Sequence, residues 1–254
     1  MPRCSKGLVL SFLLCFSLTT RSEIISDPLN SVAWETMYNA FFPGESVVID
    51  DLVKVYAPDS AENPMVVPVL VDASELEDVT KIIVIADLNP IPRILEYYPT
   101  RSSPKIGFRF KIEQRSPVRA LVRTADGIWH MNGIWIDAAG GGCTAPSLAS
   151  GSLSWADRLG QIEGRVWPQQ SKTSRLKFRI NHPMDTGLAD GIPAYYIEQL
   201  TLVDEEGIEL GRLSPFEPVS EDPVFSLDIN TSGSVGLWGR DNNGNIFKAL
   251  LSSE

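Results

Sequence analysis

The residue whose chemistry stands out is Cys143, in the stretch "DAAGGGCTAPS" from Asp137 to Ser147, directly after Gly140, Gly141 and Gly142. A thiol can act as a nucleophile, ligate a metal or carry sulfur through exchangeable S–S bonds. A cysteine hydrolase needs a histidine base held by a third group. The two histidines are His130, in "GIWHMNGIW", and His182, in "NHPMDTG". Neither sits in a catalytic-base signature, and a glycine tether holds a nucleophile poorly where an ångström matters. One cysteine and two scattered histidines give no ligand pair at zinc spacing, and "DEEGIE" lacks the calcium-loop pattern, so no metal site is expected. "GGGC" runs into "TAPS" rather than a helix, so the strand–loop–helix of a phosphate cradle is missing.

What remains is a thiol presented on an arm. Glycine allows almost any backbone path, and an arm of about ten residues would range over roughly 15–20 Å. Such segments run over the surface, so Cys143 is expected to be exposed. On this reading Cys143 is a covalent attachment point and Gly140, Gly141 and Gly142 its mobile arm. The alternative is that "GGG" is a linker and Cys143 a passenger.

Residues 1–22 have the order of a secretory signal peptide: Arg3 and Lys6, then the apolar run "LVLSFLLCFSL", then small residues at Thr20 and Ser22. The run is short for a membrane span, which needs about 20 residues, and no twin-arginine pair is present. The expected destination is the periplasm by the general secretion route, with no membrane span after signal removal. Cys4 and Cys15 would leave with the signal, so Cys143 would be the only cysteine and no intramolecular disulfide could form. The whole chain carries 22 basic and 32 acidic residues, a net charge of −10, and loses three more basic residues with the signal. Such a surface repels nucleic acid and anionic lipid.

The elements that must position the thiol read mainly as strands. "DPLNSVAWETMYNAFFPG" is one short helix, with Ser31 a candidate N-cap and Trp34, Met37, Tyr38 and Phe41 on one face. Strand patterns follow in "SVVIDDLVKVYAP", "MVVPVLVDA", "TKIIVIADL" and "KIGFRFKIE", the last alternating Ile106, Phe108, Phe110 and Ile112. Hairpin turns are expected at Asp126-Gly127, Glu206-Gly207 and Asn243-Gly244. The fold class is therefore all-β, with two immunoglobulin-like β-sandwich domains joined by a Gly-rich cysteine arm and one short N-terminal helix. The expected division is 1–22 signal peptide, 23–136 first sandwich, 137–161 arm and linker, 162–254 second sandwich.

The chain resembles the SoxY and SoxZ proteins of periplasmic sulfur oxidation, fused into one polypeptide. "AENPMVVPVLVD", "IADLNPIP" and "GGGC" look like the SoxY half. "INHPMDTGLADGIPAYYIEQLTL", "PVSEDPVFSLDI" and "LWGRDNNG" look like the SoxZ half. The resemblance implies that the two domains pack together and that Cys143 carries sulfur intermediates. It also implies a carrier without catalytic residues or cofactor of its own. The partners it implies are a haem-containing enzyme that joins thiosulfate to the thiol, a metal-dependent hydrolase and a dehydrogenase. The family arm ends its chain as Gly-Gly-Cys-Gly-Gly; here the arm is internal and Thr144, Ala145 and Pro146 replace the trailing glycines. That form resembles SoxYZ-like carriers associated with quinoprotein dehydrogenases. The other reading is a non-covalent adaptor for a periplasmic quinoprotein oxidoreductase, in which the thiol is dispensable. His182 and Pro183 are read as a proline turn with a structural or domain-packing role, in which Asp185 can cap or hydrogen-bond locally.

Overall fold

The computed structural model describes residues 25–148, 155–169 and 173–252. The segment expected to be a signal peptide and part of the Ser/Gly-rich linker lie outside the described residues.

One helix, α1 (Trp34–Phe41), precedes the strands. Ala33 occupies the cap position in place of Ser31, whose Oγ instead accepts the Ala33 N–H at 3.3 Å. The strands of the first half are β1 (Val47–Ile49), β2 (Lys54–Tyr56), β3 (Val67–Asp72), β4 (Val79–Ala86), β5 (Arg93–Tyr98), β6 (Ser102–Phe110), β7 (Ser116–Thr124) and β8 (Trp129–Ile136). Those of the second half are β9 (Ile162–Pro168), β10 (Ser174–Ile180), β11 (Ile197–Val203), β12 (Glu209–Pro215), β13 (Val224–Ile229), β14 (Val235–Asp241) and β15 (Ile246–Leu251). The run "SVVIDDLVKVYAP" is not one strand: it breaks at Asp50, whose carboxylate accepts the Leu52 N–H in a local turn. The three hairpin turns occur where the Gly-containing pairs stand, with Gly127, Gly207 and Gly244 at φ of 88°, 80° and 86°. These are left-handed conformations that only glycine adopts without strain.

The strands form two sheets, and each contains strands of both halves. The nine-stranded sheet runs β1-β8-β7-β4-β5-β12-β11-β14-β15, and the six-stranded sheet runs β2-β3-β6-β13-β10-β9. The seam is the antiparallel pair β5–β12 in one layer, with Leu213 opposite Tyr97, and β6–β13 in the other, with Leu227 opposite Ile106. A continuous core fills the space between the layers, from Val69, Val84 and Phe108 in the first half to Leu200, Phe225 and Leu237 in the second. Polar groups at the seam are satisfied in place: Tyr97 Oη lies 2.5 Å from Ser102 Oγ, which donates to the Leu210 carbonyl at 2.9 Å.

A second cluster explains why β4 and β7 are apolar on both faces. Trp34, Met37, Tyr38 and Phe42 pack on Ile83, Ile85, Leu121, Trp129 and Met131, on the outer side of the nine-stranded sheet. Residues just before the helix are fastened by Arg119, which is fully buried. Its guanidinium contacts Asp27 at 2.7 Å and Asp87 at 2.9 Å and lies 4.5 Å over the Trp34 ring. Two carboxylates and an aromatic face compensate the desolvation of this charge.

Candidate functional site

The segment bearing Cys143 leaves β8 at Ile136 and crosses to the seam. Its floor is the loop after β6, where the Lys111 N–H donates to Pro218 O at 2.6 Å and the Ile112 N–H to Pro64 O at 2.8 Å. A Cβ on Gly142 would lie 2.2 Å from the Ile112 carbonyl oxygen and 2.3 Å from that of Pro64. Only glycine lets the chain lie so flat against this backbone. Gly140 and Gly141 have φ of 108° and 83° and turn the chain onto it.

The consequence overturns one expectation. Cys143 is not exposed: its exposure is 0%. The glycines that suggested freedom serve close approach, and they seat the thiol under the seam. The Sγ–H donates to the Lys111 carbonyl at 3.5 Å.

Glu113, in the same floor loop, holds the segment down. Its carboxylate accepts the N–H groups of Gly141 (3.2 Å), Cys143 (2.9 Å) and Thr144 (3.2 Å). The Thr144 hydroxyl also reaches it, at 3.2 Å from Oε1. Asn89 braces the same loop, donating from Nδ2 to the Lys111 carbonyl and accepting the Glu113 N–H, both at 2.9 Å.

The second half supplies the other wall. Thr186 Oγ1 donates to the Cys143 carbonyl at 2.6 Å. Asp185 accepts the Ser147 N–H at 2.9 Å and its hydroxyl at 3.1 Å. The Leu148 N–H donates to Glu221 at 2.7 Å. Lys111, 1% exposed, crosses the seam and donates from Nζ to the Met184 carbonyl. The motif "HPMDTG" makes contacts beyond its own loop: the Asp185 side chain, for which a local bond was expected, binds Ser147 instead.

Electrostatics follow from burial. The Cys143 thiol is pushed up to about 12, first by desolvation and then by the negative charge of Glu113, with Lys111 opposing. Lys111 is itself drawn below its ordinary value by burial, against the pull of Asp185, Cys143 and Glu221. A thiol in this seat is protonated at neutral pH and is not a nucleophile.

Neither histidine serves the thiol. His130 lies at the other end of the first half, with Nδ1 at 2.7 Å from Asp50 and Nε2 at 3.3 Å from Thr124. His182 is buried at the start of the motif loop. Its Nδ1 accepts the Met184 N–H at 3.1 Å, and its Nε2 faces Asp241 at 3.5 Å, without hydrogen-bond geometry. Its ring packs edge-on against Tyr195 at 4.6 Å. Burial lowers the His182 pKa against the influence of Asp241. The Cys–His pairing of a thiol hydrolase is not assembled here. Among the described residues no group of three or more metal-ligating side chains converges, and no helix is long and apolar enough to cross a membrane.

Sequence reasoning found Cys143 and the glycines but missed Lys111, Glu113 and Thr186. Glu113 ends the alternating run "KIGFRFKIE", where it reads as a solvated terminus. Thr186 lay inside a motif already singled out, though nothing in the spacing connects it to residue 143.

Residues 38–143 match the model of the sulfur oxidation protein SoxY. Residues 165–251 match that of the sulphur oxidation protein SoxZ. Among solved structures, the sulfur carrier protein SoxY from Chlorobium limicola f thiosulfatophilum aligns at 18% identity and a TM-score of 0.37, over 42% of this chain and 96% of its own. No curated protein matches the chain.

Proposed function

Because the chain belongs to a fused SoxY–SoxZ-like family, whose members support a carrier role in sulfur oxidation, we propose that it carries sulfur intermediates covalently on Cys143. The observation that carries this reading is the placement of the thiol. Cys143 is the last residue of the SoxY match, and it is seated between Glu113 of the SoxY-like half and Thr186 of the SoxZ-like half. Two glycines at left-handed φ precede it, and hydrogen bonds from a short segment outside both sheets hold it, so in this reading it lifts without unfolding either sheet.

In this reading the carrier is loaded in the lifted state and is not itself a catalyst. Lifting returns the thiol to water, where its pKa falls back toward the ordinary value of about 8.5. Partner enzymes supply the chemistry: a periplasmic haem-containing or quinoprotein dehydrogenase, and a metal-dependent hydrolase for release. The acidic surface suits partners with basic docking faces. The protein acts in the periplasm after removal of residues 1–22.

The test is the intact mass of the protein purified from its own periplasm, before and after mild reductant. A reductant-labile adduct on Cys143, with the mass of sulfane sulfur or a thiosulfonate, is expected. The full burial of the thiol favours a second reading, a non-covalent adaptor in which Cys143 is dispensable. An unmodified mass while the pathway runs, with activity retained in Cys143→Ser, would establish that reading instead.

A further inference from the structure

The donors that meet at Glu113 belong to the cysteine segment, and the acceptor does not. Three N–H groups and one hydroxyl, spread over Gly141, Cys143 and Thr144, converge on a single carboxylate from the loop after β6. Successive backbone donors aimed at one point make an oxyanion cradle. The cradle straddles Cys143. When the segment lifts, the donors travel with the thiol and Glu113 stays behind. Thr144, which stands where the family arm has glycine, contributes the hydroxyl.

A sulfonate end presents the same kind of charged oxygens as a carboxylate, and on Sγ it lies only a few bonds from the Cys143 and Thr144 amides. In the seated position Sγ has no exposure and rests on the Lys111 carbonyl. An anion there would also stand against the Glu113 charge. Seating and anionic cargo therefore compete for one set of donors.

We propose that the amides of Gly141, Cys143 and Thr144, with the Thr144 hydroxyl, are a binding site for the oxyanion end of a sulfur group on Cys143. Glu113 is its built-in competitor, occupying the site while the thiol is empty. Loading exchanges cargo oxygens for Glu113, so the arrival of cargo frees the arm. This rests on the carrier reading of Cys143.

The test compares two adducts on the purified full chain, made in mild urea and returned to buffer, with completion confirmed by mass. With tetrathionate, the thiolate attacks an inner sulfur. One S–S bond forms and one breaks, thiosulfate leaves with the electron pair and the thiol proton goes to water, giving the adduct Sγ–S–SO3− on Cys143. With 2-hydroxyethyl disulfide, the same exchange releases 2-mercaptoethanol and leaves a neutral group of similar length. Hydrogen exchange at the amides of residues 141, 143 and 144 is followed in the wild type and in Glu113→Ala, with the sheet amides reporting the fold. In reduced Glu113→Ala these amides are expected to exchange about tenfold faster or more than in the wild type, the scale of one charge-assisted hydrogen bond. The neutral adduct of Glu113→Ala stays fast, whereas the anionic adduct regains protection of about tenfold, and Thr144→Val lowers that protection.

Equal exchange in the two Glu113→Ala adducts would overturn the proposal, as would reduced Glu113→Ala that stays as protected as the wild type. Neither result bears on whether Cys143 is loaded in the cell, which the mass of the native protein decides separately.

Discussion

Replacing Glu113 with alanine should convert a hidden thiol into a reactive one. The carboxylate receives three N–H groups and one hydroxyl from the cysteine segment. Each bond is worth about 1 kcal/mol net of water. Glu113 is only half-buried, so solvent competes, and a total of about 2–3 kcal/mol is appropriate. The bonds to Thr186 and Asp185 remain, so the segment is loosened rather than lost. At 1.4 kcal/mol per decade, the lifted population rises about 30- to 150-fold. The assay is the second-order rate of Cys143 with a neutral disulfide reagent at mildly alkaline pH, beside the ultraviolet absorbance of the thiolate. The seated thiol has its pKa pushed up to about 12, against about 8.5 for a free one. The seated form holds the proton longer, so its stability is fully present below about pH 8.5 and is lost as pH rises from there toward 12. The wild type should show little thiolate near pH 8.5, and Glu113→Ala distinctly more. An unchanged rate in a folded Glu113→Ala protein, or a wild-type thiol that titrates normally, would refute the argument.

Gly142→Ala places a Cβ within 2.3 Å of two backbone oxygens and should also unseat the segment; thiol reactivity should rise with the melting temperature little changed. Asp27→Ala removes one carboxylate from the buried Arg119 and should cost about 2–3 kcal/mol in urea unfolding, since Asp87 remains as a partner. For Asp241, burial would raise the pKa, but the facing His182 ring and the hydrogen bonds from Asn245 outweigh it and bring the value to about 2. Its contribution is present above the ordinary 3.8 and lost as pH falls toward 2. His182, held below its ordinary 6.5 by burial, adds a loss as pH falls through 6.5, because the unfolded chain takes up that proton first. Urea midpoints measured from neutral to acid pH should fall in these windows, and a His182→Phe variant should lose the step near 6.5.

What the sequence determined by itself was local. Alternation in "KIGFRFKIE", the Gly-containing turns and the spacing of Trp34, Met37 and Tyr38 follow from periodicity and backbone preference, and they indicated strands, hairpins and one helix. Cys143 after three glycines, ahead of "HPMDTG", marked the family. Two strands escaped that reading. β5 follows the proline-rich "NPIPR", and β9 opens in the Gly- and charge-rich "IEGRVWP", so neither has clean alternation. Yet β5 is the seam strand that makes one sheet of two halves. The tertiary structure alone decided that continuity, because strand pairing across more than 100 residues leaves no local pattern. It alone decided the state of the thiol as well. "GGG" permits a loose arm and a tight one equally. Which is realised depends on the Ile112 and Pro64 carbonyls beneath Gly142, and on a carboxylate 30 residues away in sequence from Cys143.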